Sequence, residues 1–180
     1  TEASGEAIFV PTDVSKAGDV EAMVNRAIES YGRLDYAHNN AGIRSIGVNL
    51  KGIWLSMKYE IPRMLEHGGG VIVNTSAGSG LVGFPGASAY VAAKHGVIGL
   101  TKAAALEYAK QGVRVNAVCP GYVGTPMIEG PLKDPEWVAR AISRQPVGRI
   151  GTPAEVAECV MWLCSDAASF VTGHAMAVDG

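Results

Sequence analysis

Short β-rich runs alternate with longer segments of helical period along the chain. Ala7-Ile8-Phe9-Val10 is a compact apolar run, closed by Pro11, that reads as a strand. Asp13-Val14-Ser15 follows, and Ser15 is placed to cap a helix. In that helix Val20, Met23, Val24, Ala27, Ile28 and Tyr31 form one apolar stripe ending at Gly32. Leu34-Asp35-Tyr36-Ala37-His38 predicts the next strand, running into Asn39-Asn40-Ala41-Gly42. A second helix carries Leu50, Ile53, Trp54, Met57, Ile61, Met64 and Leu65 on its stripe and stops at Gly68-Gly69-Gly70. Val71-Ile72-Val73 then reads as a strand buried on both faces.

The third helix spans Ser88 to Ala109 and is small or apolar around most of its circumference, so it needs cover on two sides. Val113-Arg114-Val115-Asn116-Ala117-Val118 predicts a strand ended by Pro120-Gly121. Residues 126–150 are richer in Pro, Gly and charge and suit a mobile flap with a short helical patch around Trp137. Thr152-Pro153-Ala154-Glu155 has the residue order of a capping box, and Ala175-Met176-Ala177-Val178 is a final strand. Such alternation implies an α/β fold: a doubly wound parallel sheet, Rossmann-like, in three layers, as one domain over residues 1–180.

Composition narrows the function classes. With 48% hydrophobic and 18% charged residues among 180, the chain can bury a sizeable core. A net charge of -2 gives no electrostatic footprint for nucleic acid or an anionic membrane. No apolar run approaches a membrane span, and the first residues do not resemble a signal peptide, so the expectation is a cytoplasmic protein. Cys119, Cys159 and Cys164 have no metal spacing and suit a reducing compartment, as small buried residues. His38, His67, His95 and His174 also lack ligand spacing, so no metal is expected, and His95 is expected to pack beside the third helix.

Tyr90 and Lys94 are the leading chemical candidates. Four residues on a helix put both side chains on one face, about 6 Å apart along the axis. An ammonium near a phenol stabilises the phenolate and draws its pKa towards the working pH, as a general acid/base requires. Four further motifs accompany the pair in order: Asn39-Asn40-Ala41-Gly42 after a strand, Val48-Asn49-Leu50 opening a helix, Ser76 in a loop, and Pro120-Gly121-Tyr122-Val123-Gly124-Thr125 after a strand. With these motifs the chain resembles the classical short-chain dehydrogenases/reductases from Ala7 to its last residue.

The resemblance implies hydride transfer between a nicotinamide cofactor, NAD or NADP, and a small-molecule alcohol or carbonyl substrate. Tyr90 would exchange the proton on oxygen, Lys94 would tune it and hold the nicotinamide ribose, and Asn49 would anchor a relay water. Asp13 and Val14 would meet the adenine, and Asn39, Ala41 and Gly42 would line the adenosine. Pro120, Gly121 and Val123 join the cofactor-binding set with Thr125, which would meet the carboxamide. Asp13 also reads as a turn former, Asn49 as a helix-start cap, and the Asn39–Gly42 run as a sheet stabiliser. Met127, Ile128 and Trp137 read equally as packing within the flap or as an apolar wall for a substrate the sequence does not name.

Two departures qualify the resemblance. The family's serine stands thirteen residues before the tyrosine, where this chain has Ala77, with Ser76 one residue earlier. Ser76 serves as the fourth catalytic candidate if the loop shifts register by one. No Gly-x-x-x-Gly-x-Gly phosphate loop occurs, so the domain reads as incomplete. The first βαβ unit is missing from it, and a break falls near Arg44 and Ser45. In the strand order 3-2-1-4-5-6 the first two runs here would be strands 3 and 4, with nothing between them. These departures leave open an alternative, a catalytically weak dinucleotide-binding scaffold or regulatory protein of the same fold. A homodimer or homotetramer is expected, paired through helices 50–65 and 88–109.

Overall fold

The computed structural model describes residues 5–43 and 45–180; Arg44, on one side of the expected break, lies outside them. Four strands form one parallel sheet in the order β1 (Tyr36–Asn39), β2 (Gly70–Thr75), β3 (Val113–Pro120) and β4 (Ala175–Val178). Among the described residues five α-helices accompany them: α1 (Ala17–Tyr31), α2 (Ile53–Glu66), α3 (Ser88–Tyr108), α4 (Pro135–Ile142) and α5 (Pro153–Cys164).

Ile72, Val97, Val113 and Val115 meet Ile53, Met57, Ile61 and Met64 on the α2–α3 face. Val71, Val73 and Val118 meet Val160 and Leu163 of α5 on the other. Helices therefore cover both faces, and β2 and β3 are buried almost throughout, as parallel strands under two helical layers must be.

The element boundaries follow local chemistry where local chemistry suffices. Gly32 ends α1 in the left-handed region at φ 80°, its N–H returning to the carbonyl of Ile28. Thr152 accepts from the Glu155 N–H while the Glu155 carboxylate accepts from the Thr152 N–H, completing the capping box of α5. The flap holds two short 3-10 turns and α4, capped by Asp134.

Several expectations are corrected. Ala7–Val10 forms no strand, and Phe9 is 89% exposed: an extended run becomes a strand only when another strand satisfies its backbone, and none lies beside it among the described residues. The run from Leu34 is a strand only from Tyr36, with the Asp35 carbonyl accepting from the Val71 N–H at its edge. Ser15 does not cap α1: its hydroxyl donates to Asp13 at 2.7 Å, and Lys16 stands at the N-cap with no side-chain capping bond. The second helix is not α-helical from its start, since Gly47–Gly52 winds as a π-helix before α2. His95 is exposed on α3, its Nδ1 bonded at 3.0 Å to the Val91 carbonyl. Of the cysteines, Cys119 is buried and the other two are half-buried.

Candidate active site

Chemistry-bearing residues collect where β1, β2 and β3 end, the side of an open parallel sheet that receives ligands. Lys94 is 4% exposed in α3, and its Nζ donates at 2.8 Å to the main-chain carbonyl of Thr75 at the end of β2. The same Nζ lies 5.8 Å from the centroid of the Tyr90 ring, one turn earlier on α3. Burial lowers the Lys94 pKa to about 8, partly offset by the nearby Cys119. The ammonium thus sits in a dry position, held by a carbonyl and facing a phenol.

Asn49 is the next member. The π-helix carries it into the interior at 0% exposure, where its Oδ1 accepts from the Ile43 N–H at 2.8 Å. Its Nδ2 is buried with no hydrogen-bond partner among the described residues. An unsatisfied buried amide is costly, so this donor is the clearest sign that a polar group belongs beside it. Gly42 closes the same corner: a Cβ there would lie 3.4 Å from Asn49 Oδ1 and 3.9 Å from Lys94 Nζ. Tyr90, Lys94, Asn49 and Gly42 are thereby brought to one place.

Ser76 occupies a different position from the one its candidacy needs. Its N–H donates to the Val118 carbonyl at 2.8 Å, continuing the pattern of the sheet, so the shift of one residue does not occur. Its hydroxyl is buried beneath α3 and donates to the main-chain carbonyl of Lys94 at 2.8 Å. Gly80 seals it there, since a Cβ at that residue would overlap the Ser76 hydroxyl. Cys119 lies alongside, its thiol pKa raised by burial and eased down by the Ser76 hydroxyl and the Ala77 N–H.

Behind these groups runs a chain of amides. Asn39 at the end of β1 donates through Nδ2 to Glu60 at 3.0 Å and to Asn74 Oδ1 at 3.1 Å, and Asn74 Nδ2 donates to Thr101 at 3.0 Å. Glu60, 4% exposed on α2, has its pKa pushed up to about 7 by burial. The Asn39 side chain is therefore committed to joining β1, β2 and α2. Sequence reading missed Glu60; its one signal was an acidic residue within the apolar stripe of α2.

The remaining cofactor candidates line the rim. The Asp13 carboxylate accepts from the N–H and hydroxyl of Ser15, which lower its pKa. Val14 packs against Gly52, where a Cβ would come within 2.9 Å of Val14 Cγ2. Ala41 is exposed between Asn40 and Gly42. Pro120 ends β3, Gly121 packs against Asp179, Val123 bridges to Gly151, and Thr125 precedes the first turn of the flap. In the flap itself Met127 is exposed, Ile128 is half-buried, and Trp137 meets Tyr122 edge to face at 5.4 Å between centroids. Among the described residues no group of His, Cys, Asp and Glu is arranged to hold a metal, and no helix is long and apolar enough to cross a membrane.

A buried lysine on a tyrosine, at the carboxyl ends of a doubly wound parallel sheet, defines a nucleotide-cofactor oxidoreductase in general form. Comparison with known proteins gives its family. The family model described as Enoyl-(Acyl carrier protein) reductase matches residues 1–180. The chain is 46% identical over 192 residues to the cyclohexanol dehydrogenase of Acinetobacter sp. (strain SE19), covering 98% of this chain and 74% of that protein. Among solved structures, levodione reductase superposes with a TM-score of 0.90 at 37% identity, over 94% of this chain and 74% of that one. ElxO with NADP bound superposes at 0.88 with 35% identity, over 93% and 75%. The protein belongs to the short-chain dehydrogenase/reductase family, and the members matched here are named as dehydrogenases and reductases, one of them solved with NADP bound. It spans about three quarters of the length of these relatives.

Proposed function

We propose that Tyr90 is the acid/base of an NAD(P)-dependent oxidoreductase acting on the CH–OH carbon of a small alcohol or its ketone. The observation that carries this reading is the buried Lys94 ammonium, fixed by the Thr75 carbonyl and facing the Tyr90 ring. A cation in a poorly solvated position favours the phenolate, so Tyr90 takes the proton of an alcohol or returns it to a carbonyl oxygen. A nicotinamide cofactor, when bound, would supply or accept the hydride. Gly42, Asn49 and Lys94 fit its ribose side, since Gly42 presents only backbone beside the other two and the Asn49 amide has a donor to spare. Asp13, Val14, Asn39, Ala41, Pro120, Gly121, Val123 and Thr125 complete the cofactor-binding set, Asn39 through its backbone because its amide is engaged elsewhere.

Ser76 acts from behind: its hydroxyl holds the turn of α3 that carries Lys94. The hydroxyl that would polarise the substrate oxygen is then absent, since Ala77 stands in its place. That one observation favours a second reading, a slow enzyme or a dinucleotide-binding scaffold. The two part on a panel of alcohols and ketones followed by nicotinamide absorbance. Tyr90→Phe lowers turnover by about 10² to 10⁴-fold with cofactor binding retained. Equal turnover in this variant would reject Tyr90, and cofactor binding without turnover in the unaltered protein would favour the scaffold.

Two coarser properties complete the proposal. We place the protein in the cytoplasm, consistent with three free cysteines among the described residues. We also propose pairing between copies through α2 and α3, where Trp54 is 47% exposed, Leu106 is 85% exposed, and Gly96 and Gly99 line an apolar groove with Leu50 and Leu100. A homodimer or homotetramer is expected on sedimentation, and a monomer at micromolar concentration would overturn it.

A further inference from the structure

Arg144 is set apart from the other described arginines by its partners. Arg26, Arg33, Arg63, Arg140 and Arg149 each pair with a carboxylate, and Arg114 donates to the carbonyls of Val171 and Ser165. Arg144 has neither kind of acceptor among the described residues. Its guanidinium lies 5.4 Å from the centroid of the Phe84 ring, and its Nη1 donates to the Tyr122 hydroxyl at 3.3 Å.

The backbone beneath it is fixed. Gln145, the next residue, is buried, accepts from the Tyr122 N–H at 2.9 Å and donates to the Arg149 carbonyl at 2.8 Å. Trp137 meets Tyr122 edge to face. An exposed cation is thus held by two aromatic residues from separate parts of the chain, with a third ring, Trp137, packed on one of them.

Their place in the fold gives the cluster its meaning. Phe84 lies in the loop that leads from β2 into α3, six residues before Tyr90. Tyr122 follows the end of β3 by two residues, and Trp137 and Arg144 belong to the flap. The cluster therefore stands at the same end of the sheet as Tyr90 and Lys94. A guanidinium has five N–H donors in a planar fork that matches the two oxygens of a carboxylate. Here that fork is given one weak acceptor, the Tyr122 phenol, and lies over the face of Phe84, with Tyr122 and Trp137 beside it offering surface suited to an apolar body.

We propose that Arg144 is a specificity-determining residue that binds a carboxylate carried by the substrate at a distance from its reacting carbon. The substrate's apolar body lies against Phe84, Tyr122 and Trp137. The proposal rests on the oxidoreductase reading and adds the substrate class: a hydroxy or oxo acid with an apolar ring or chain between its two functional ends.

The test is a matched pair, cyclohexanol and 4-hydroxycyclohexanecarboxylate, the same ring without and with the anion. In the unaltered protein the acid has the higher kcat/KM. Arg144→Gln lowers kcat/KM for the acid by about ten- to a hundredfold, the range of a charge-assisted hydrogen bond, and leaves cyclohexanol within about twofold. Arg144→Lys restores part of the loss. Equal losses for both alcohols would mean that Arg144 merely ties the loop to the flap, and no loss for either would remove it from recognition; both outcomes overturn the proposal. Turnover of neither alcohol by the unaltered protein would sink the oxidoreductase reading separately. Calorimetric titration of cyclohexanecarboxylate into the protein and into Arg144→Gln then decides: weaker binding in the variant supports the anion site, while equal binding or none in either overturns it.

Discussion

The floor of the site and the flap above it solve opposite problems. On the floor the polar groups are buried or half-buried and most are held by main chain or by another polar side chain: Lys94 by the Thr75 carbonyl, Ser76 by the Lys94 carbonyl, Asn74 by Asn39 and Thr101. In the flap the charged groups are exposed, and their partners are rings or other surface charges, as with Arg144 on Phe84 and Arg149 on Glu155. Burial makes electrostatics strong and geometry unique, which suits chemistry on one oxygen and one carbon. Exposure leaves donors to be completed by whatever binds, which suits choosing among substrates. The difference separates reaction from selection along the same chain, with the loops after β2 and β3 joining the two.

Three changes probe that separation, beginning with the floor. Glu60 is raised from an ordinary 4.5 to about 7 by burial. A carboxyl whose folded pKa is raised keeps its proton in the native state while the unfolded chain has lost it. Stability therefore falls as pH rises from 4.5 to 7 and stays low above that. Glu60→Gln keeps an acceptor for Asn39 and cannot ionise, so its advantage over the unaltered protein grows across this window to on the order of 3 kcal/mol. Urea unfolding of both proteins at pH 5 and pH 8 measures it, and a difference that does not change with pH would refute the assignment.

Gly80→Ala is next. The new Cβ would overlap the Ser76 hydroxyl and lie 2.8 Å from the Lys94 carbonyl oxygen, displacing the turn that carries the ammonium. A loss of about 1 to 3 kcal/mol in stability is expected from overpacking, together with lower turnover. Full activity with unchanged melting would mean that the floor yields more readily than its contacts imply. The smallest effect belongs to the flap side, where Thr152→Ala removes the cap of α5 and costs about 1 kcal/mol. Turnover at a temperature well below melting should not change, and a fall in kcat there would show that the two regions are coupled.

The sequence exposed what local chemistry decides. Gly32 as a helix stop, Thr152 and Glu155 as a capping box, and Tyr90 with Lys94 on one helical face all depend on neighbours within a few residues. Ala7–Val10 misled because an apolar run signals a strand's burial and not the partner that hydrogen-bonds it. Ser76 misled because the direction of its hydroxyl is set by β3 and α3, distant in the chain. Glu60 and Arg144 gave little sign of themselves for the same reason: what matters about Glu60 is Asn39, and about Arg144 is a ring sixty residues earlier.

The π-helix at Gly47–Gly52 has a consequence in helical phase. Each residue of an α-helix advances the side-chain direction by about 100°, so one wider turn offsets everything before it against the stripe that follows. From Ile53 onward the apolar positions Ile53, Met57, Ile61 and Met64 keep step with the core. Ahead of them Asn49 is out of step, and the offset aims a polar amide at Gly42 and Ile43 where an unbroken helix would continue its hydrophobic face. A single irregular turn thus lets one helix serve as core along most of its length and as a polar contact at its first turn.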